Sequence, residues 1–136
     1  MTARTAHCAC GALRVETRGD PATAIAVCNC VECQRRTGSA FGFSGYWREE
    51  DVTVAGESRA WQRRSDAGRN IEFRFCETCG GTVWWRAEFL PGQIGVALGM
   101  FADPDAFAPQ IALWTRSRHA WLDGETSLPS CEKGRG

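Results

Sequence analysis

The chain of 136 residues carries no surplus of charge, since 16 basic and 16 acidic side chains cancel and are spread along its length. A nucleic-acid binder or a protein of an anionic membrane surface shows a basic patch or stripe; none is visible, so neither partner is expected. Long apolar runs are also missing. Met1 to His7 is polar and short, without the apolar centre of a secretory signal, and nothing approaches the ~18 residues of a membrane helix. A reducing, cytoplasmic setting is therefore expected. There is no GxGxxG segment and no phosphate loop, which argues against nucleotide-linked redox chemistry. Solenoid repeats, linkers and low-complexity segments are absent as well. With 43% apolar residues, six Trp and seven Phe, the chain has material for one core, and a single domain over 1–136 is expected.

Cysteine is abundant. Seven of the eight cysteines fall into three tight clusters: Cys8 and Cys10; Cys28, Cys30 and Cys33; Cys76 and Cys79. Cys131 stands alone. In a reducing compartment such a pattern points to metal rather than to disulfides, and two cysteines one residue apart rarely suit a mutual bridge.

The rest of the chain reads as strands. Leu13 and Val15 alternate with Arg14 and Glu16, the period of a half-buried strand, before a turn at Gly19-Asp20-Pro21. An apolar run from Ala22 to Val27 delivers Cys28, and Gln34 to Arg36 form a short helical turn that stops near Thr37-Gly38. Further strands are expected around Phe41 to Trp47, Val52 to Val54, Trp61, Val83 to Trp85, Ile94 to Leu98 and Ile111 to Trp114. Ile71, Phe73 and Phe75 alternate with Glu72 and Arg74 and run directly into Cys76. A turn at Phe101 to Asp105 is expected to continue into one helical turn after Pro104. Trp121 is expected to pack on the sheet, and Lys133 to Gly136 to fray. The sum is a mostly β, largely antiparallel small domain, because strands at this spacing leave no room for crossover helices.

A Cys-x-x-Cys turn places two sulfurs on one ion, and a tetrahedral zinc wants four. In Cys76-Glu77-Thr78-Cys79-Gly80 the glycine lets the chain fold back over the metal at positive φ; Cys8-Ala9-Cys10-Gly11 has the same shape with one fewer spacer. Two matched half-sites make one four-cysteine site. Cys28, Cys30 and Cys33 remain for a second ion with an open fourth position, the arrangement of a catalytic rather than a structural zinc. Cys131 can close that position and make both sites structural. A redox pair needs a strand-to-helix βαβ context that is not visible. An iron–sulfur cluster is chemically possible, but half-sites ending in glycine read as zinc ribbon. His7 and His119 read as surface or packing histidines, His7 being the nearer to a ligand because it adjoins Cys8. Arg35 and Arg36 can offset thiolates and hold the carboxylates of an anionic substrate; the alternative is a solvated helical turn. The tryptophans are expected mostly in the core, with one or two walling a pocket.

Cys8-x-Cys10-Gly11, then Cys28-x-Cys30-x-x-Cys33-x-Arg35-Arg36-Thr37-Gly38-Ser39-Ala40-Phe41, then Phe75-Cys76-x-x-Cys79-Gly80, then Gly99 to Pro104 and a late Trp together resemble the glutathione-dependent formaldehyde-activating enzyme family, also called centromere-protein-V-like. The resemblance covers nearly the whole chain. It implies an Mss4-like β-fold with zinc-ribbon half-sites and two zinc ions. Cys8, Cys10, Cys76 and Cys79 would hold a structural ion, Cys28, Cys30 and Cys33 a catalytic one, and Cys131 would be dispensable. Asn29 stands where the family often has His, which bears on hydrogen bonding around the ligands. The implied activity is a carbon–sulfur lyase of the S-(hydroxymethyl)glutathione synthase type, acting on a small-molecule thiol or thiol–aldehyde adduct. Arg35 and Arg36 are the candidate carboxylate clamps. The alternative is a zinc-stabilised binding module without catalysis.

Overall fold

Period-two patterning produces ten strands in the computed structural model, which describes residues 1–122 and 128–135. In chain order they are β1 (Ala3–His7), β2 (Arg14–Arg18), β3 (Ala26–Cys28), β4 (Gly42–Arg48), β5 (Val52–Ala55), β6 (Arg59–Arg64), β7 (Asn70–Phe75), β8 (Thr82–Ala87), β9 (Gln93–Ala97) and β10 (Ile111–Leu113). One α-helix, α1 (Val31–Thr37), and three short 3-10 turns complete the described elements. The strands form a three-stranded sheet in the order β1-β2-β5 and a seven-stranded sheet in the order β10-β3-β4-β9-β8-β7-β6. All strand pairs are antiparallel except β10 with β3, which is parallel. The mostly β, largely antiparallel fold expected from the sequence is therefore the fold observed. No helix of the described residues is long and apolar enough to cross a membrane.

Neighbouring aromatic residues on one strand point to opposite faces, and this divides the core in two. Trp47 and Trp84 face the three-stranded sheet, where they pack with Ala6, Leu13, Val15, Val83 and Val96. Tyr46 and Trp85, one residue away from them, face the other side with Ile71, Phe73 and Ala87. On that second face the register aligns Trp61 with Phe73, Phe73 with Trp85, and both Trp85 and Tyr46 with Gly95. The result is an aromatic ladder across β6, β7 and β8, with ring centroids 5.8 Å and 5.6 Å apart. Gly95 interrupts it by design of space: the Trp85 indole crosses over it and donates its Nε1–H to the Tyr46 hydroxyl at 2.8 Å.

Several local expectations change. β1 shows one buried side chain, Ala6, in five residues, too little apolar signal for its strand to be read from sequence. The strand expected over Ala22 to Val27 is confined to Ala26–Cys28, because the amide of Ile25 bonds the side chain of Gln110 instead of a ladder partner. The helix starts earlier than Gln34: Cys30 is its N-cap, and Gly38, at φ 67°, closes it. No helical turn follows Pro104, because the Asp103 carboxylate accepts the Asp105 amide and closes a simple turn; the 3-10 turn lies earlier, at Leu98–Met100. Trp121 does not pack on the sheet; it is 70% exposed and stacks on His119. Lys133 to Arg135 do not fray, being hydrogen-bonded to the body of the fold, while Gly136 lies outside the described residues.

A methyl group at Gly95 would sit 2.3 Å from Trp85 Nε1 and 2.6 Å from its Cε2. Gly95→Ala should therefore force the indole off the Tyr46 hydroxyl, at a cost of about 1–3 kcal/mol for overpacking. Thermal unfolding checks it: Tm should fall by about 4 °C per kcal/mol at this chain length. An unchanged Tm would mean that Trp85 has another rotamer open to it.

Candidate metal centres

The first centre is built by two turns of the same design. Cys8 follows β1, and its turn is closed by the Gly11 amide on the Cys8 carbonyl at 3.0 Å and the Cys8 amide on the Leu13 carbonyl at 3.1 Å. Cys76 follows β7, and its turn is closed by the Gly80 amide on the Cys76 carbonyl at 2.8 Å and the Cys76 amide on the Gly81 carbonyl at 2.9 Å. Gly11 and Gly80 take φ of 81° and 80°, the left-handed region a side chain rarely enters. Cys8 and Cys76 are buried, Cys10 and Cys79 exposed. Cys10 Sγ lies 3.6 Å from both Cys8 Sγ and Cys76 Sγ, and all four sulfurs lie within 4.8 Å of one another. Backbone amides aim at them: Leu13 N–H at Cys8 and Thr78 N–H at Cys76, each at 3.4 Å. The amides of Cys10 and Gly81 hold the Cys79 thiol down to about 6, and those of Cys79 and Thr78 lower Cys76. A tetrahedron with metal–sulfur bonds of ~2.3 Å has edges of about 3.8 Å, so this donor set fits a thiolate-bound ion.

The second centre gathers Cys28 at the end of β3, Cys30 at the cap of α1 and Cys33 in its first turn, again with the sulfurs within 4.8 Å of one another. The Cys33 amide donates to Cys30 Sγ at 3.2 Å. The loop between them is fixed by Asn29, which is fully buried and gives both its backbone amide and its side-chain amide to the Leu113 carbonyl, at 2.9 Å and 3.0 Å. Hydrogen bonds from Cys28 and Cys33 hold the Cys30 thiol far below the usual range, helped by the Cys33 amide and the charge of Arg63. The same contacts push Cys28 up. The arrangement thus favours the charged form at Cys30 over Cys28. Gly42 opposite leaves the room: a Cβ there would lie 2.7 Å from Arg36 Nη2 and 3.3 Å from Cys33 Cβ.

This second centre opens on a cavity of about 520 Å³, which the four cysteines of the first centre do not line. The aromatic ladder forms one wall, Trp114 another. Of the two arginines singled out from the sequence, Arg36 enters the cavity, its guanidinium 4.7 Å from the Trp85 ring centre and 5.6 Å from that of Phe73. Arg35 does not line it; 72% exposed, it pairs with Glu32 at 3.0 Å. Sequence reading missed Arg63, Arg64 and Arg135, which also line the cavity. Arg63 is 18% exposed and sits 5.6 Å from the Phe73 ring centre; its signal was its place two residues after Trp61, on the same face of β6. Arg135 offers no such signal. Cys131 is exposed and belongs to neither sulfur group. His7 Nδ1 lies 2.7 Å from the Cys8 carbonyl, outside the four-sulfur group.

The family model described as "Glutathione-dependent formaldehyde-activating enzyme" matches residues 3–117, which include both sulfur groups and exclude Cys131. Among solved structures, a Rhodobacter sphaeroides protein from a structural-genomics programme matches with a TM-score of 0.59 and 20% identity, over 93% of this chain and 99% of that one. At that identity the likeness shows the fold alone. No curated protein matches the chain.

Two metal ions of unequal hold are expected per chain. The four-cysteine set joins segments 66 residues apart, and a thiolate site of this kind can contribute on the order of 10 kcal/mol, comparable with a whole domain's ~5–15 kcal/mol. Cys76→Ser should therefore give insoluble or unfolded protein, whereas Cys30→Ser should stay folded with one ion by metal analysis. Because thiolates must be free of protons to bind, holding is complete at high pH and lost as pH falls. The three-cysteine ion should leave first, at the higher pH. One ion per folded parent chain would overturn the division into four and three.

Proposed function

We propose that this chain, which belongs to the glutathione-dependent formaldehyde-activating enzyme family, is a zinc-dependent carbon–sulfur lyase of the S-(hydroxymethyl)glutathione synthase type. It joins, or in reverse separates, a thiol such as glutathione and a small aldehyde such as formaldehyde. The observation that carries this reading is the unequal setting of the two sulfur groups: Cys28, Cys30 and Cys33 line a cavity, and Cys8, Cys10, Cys76 and Cys79 do not. The reading assigns a structural zinc to the four and a second zinc to the three. When bound, the latter supplies an open position that takes a thiol as its thiolate at neutral pH.

The chain's own residues then have separate tasks. Arg36 and Arg63, held over the aromatic ladder by cation–π contacts, bind the carboxylates of the thiol through charge-assisted hydrogen bonds. Trp85 and Phe73 exclude water from the carbonyl carbon. Burial pushes the Tyr46 phenol up to about 12, so it keeps its proton at neutral pH. Its oxygen accepts from Trp85 Nε1, which orients the hydroxyl so that its own hydrogen can bond an aldehyde oxygen in the cavity it lines. In the joining direction the sulfur lone pair forms the S–C bond, the C=O π pair moves to oxygen, and the proton lost by the thiol ends on that oxygen. No electrons leave the pair of substrates, so no redox partner is needed.

Cobalt-substituted protein tests this directly. Millimolar glutathione should change the thiolate-to-metal absorption, and addition of formaldehyde should then consume free thiol faster than in the buffer alone. Arg36→Ala should raise the KM for glutathione about tenfold, as expected for a lost hydrogen bond to a charged group. A cobalt spectrum indifferent to thiol, in protein holding both ions, would favour the non-catalytic binding module.

A further inference from the structure

Residues 128–135 are docked as a strap. Its Ser130 forms a parallel bridge with Ala112, with the Ala112 amide on the Pro129 carbonyl at 2.8 Å and the Cys131 amide on the Ala112 carbonyl at 2.9 Å. This covers β10, the outermost strand of the seven-stranded sheet. Beyond it, the Thr115 amide donates to the Cys131 carbonyl at 3.2 Å, and Lys133 reaches Asp66 on the cavity rim at 3.9 Å. Exposure falls toward the end: residues 131–133 are exposed, but Gly134 and Arg135 are half-buried.

Two features hold that end against the cavity. Trp114 has φ 55°, the one described non-glycine residue with positive φ; the bend turns its indole beneath Gly134, where a Cβ would lie 2.3 Å from Trp114 Nε1. Arg135 donates from Nη2 to the Ala24 carbonyl at 2.9 Å, which leaves the other donors of its five-donor fork for something else. It lines the cavity together with Arg36, Arg63 and Arg64. Its charge is felt at the Tyr46 hydroxyl, where it follows burial and the Trp85 hydrogen bond among the influences. Of the facing carboxylates, Asp66 is turned to Lys133, and Glu32 is shared by Arg35 at 3.0 Å and Arg63 at 4.0 Å. The strap lies wholly outside residues 3–117, the part matched by the family.

We infer that Arg135 is a specificity-determining substrate-binding residue, through which the strap of residues 128–135 builds an anion subsite for a carboxylate of the thiol ligand. The inference rests on the thiol-binding reading above for its ligand, and it goes beyond it in assigning selectivity to a segment the family match does not include.

The test uses full-length, metal-loaded chain and S-methylglutathione, whose carboxylates are intact but whose sulfur is capped. Isothermal titration should show binding to the parent, weakened at least about tenfold in Arg135→Ala and partly recovered in Arg135→Lys. Gly134→Val, which keeps Arg135 but displaces the strap from Trp114, should lose affinity similarly. The cobalt-spectrum response to 2-mercaptoethanol, a thiol without a carboxylate, should be the same in all four proteins. Equal affinity of parent and Arg135→Ala for S-methylglutathione would overturn the inference, as would its failure to bind a parent that still responds to glutathione. Failure of the thiol-binding reading looks different: a cobalt spectrum silent to both thiols in the parent.

Discussion

Four sulfur atoms sharing one small volume tie the turn after β1 to the turn after β7, and so tie the three-stranded sheet to the seven-stranded one. The strands themselves meet across the core through Leu13, Val15, Trp47 and Trp84, contacts that are strong in sum but weakly directional. The sulfur cluster supplies direction. It fixes where β8 begins, and therefore which of Trp84 and Trp85 enters the core and which faces the cavity, since a slip of one residue exchanges the two faces.

Everything on the cavity side depends on that choice. Trp85 can lie across β9 only because Gly95 has no side chain there, and lying across it the indole reaches Tyr46. The ladder of Trp61, Phe73 and Trp85 then offers flat faces to Arg36 and Arg63. A guanidinium is weakly hydrated for a cation and stacks well on aromatic faces, so these arginines can enter a half-closed cavity without a carboxylate in bidentate contact with each. The same positions filled by lysine would be hydrated more strongly and would sit there less readily.

How much of this could be read from the chain follows from how far each signal reaches. The sulfur clusters announce themselves within a few residues, and the glycine after each Cys-containing turn states its φ by its identity, as Gly11 and Gly80 confirm. Alternation placed β7, where Ile71 and Phe73 are buried on a period of two, and a short apolar run placed β8 around Val83, Trp84 and Trp85. β1 was invisible because one buried alanine is no pattern. Arg36 and Arg35 could not be told apart, since adjacent residues on a short helix differ by about 100° in direction and nothing local says which way the helix lies. Gly42, the residue that makes room for Arg36, contacts it only through the fold. The strap was misjudged for a similar reason: polar, glycine-bearing sequence near a terminus usually frays, and its partners, Ala24, Ala112 and Trp114, lie far back in the chain.

The arginines also bear on the sulfurs. Arg63 favours the charged form of Cys30, and Arg36 that of Cys33, so each serves the thiolate cluster as well as the anionic ligand assigned to the cavity. A residue with both tasks cannot be altered without changing the hold on metal and ligand together. Arg135 is different. Its charge is felt at the Tyr46 hydroxyl, and it is anchored to the Ala24 carbonyl outside the cysteine loop. Unlike Arg36 and Arg63, it is therefore a residue where selection of the ligand can change while the thiolate centre stays as it is. A segment docked at a sheet edge is well suited to that division of labour, because its sequence can vary without disturbing either the sulfur cross-link or the aromatic ladder.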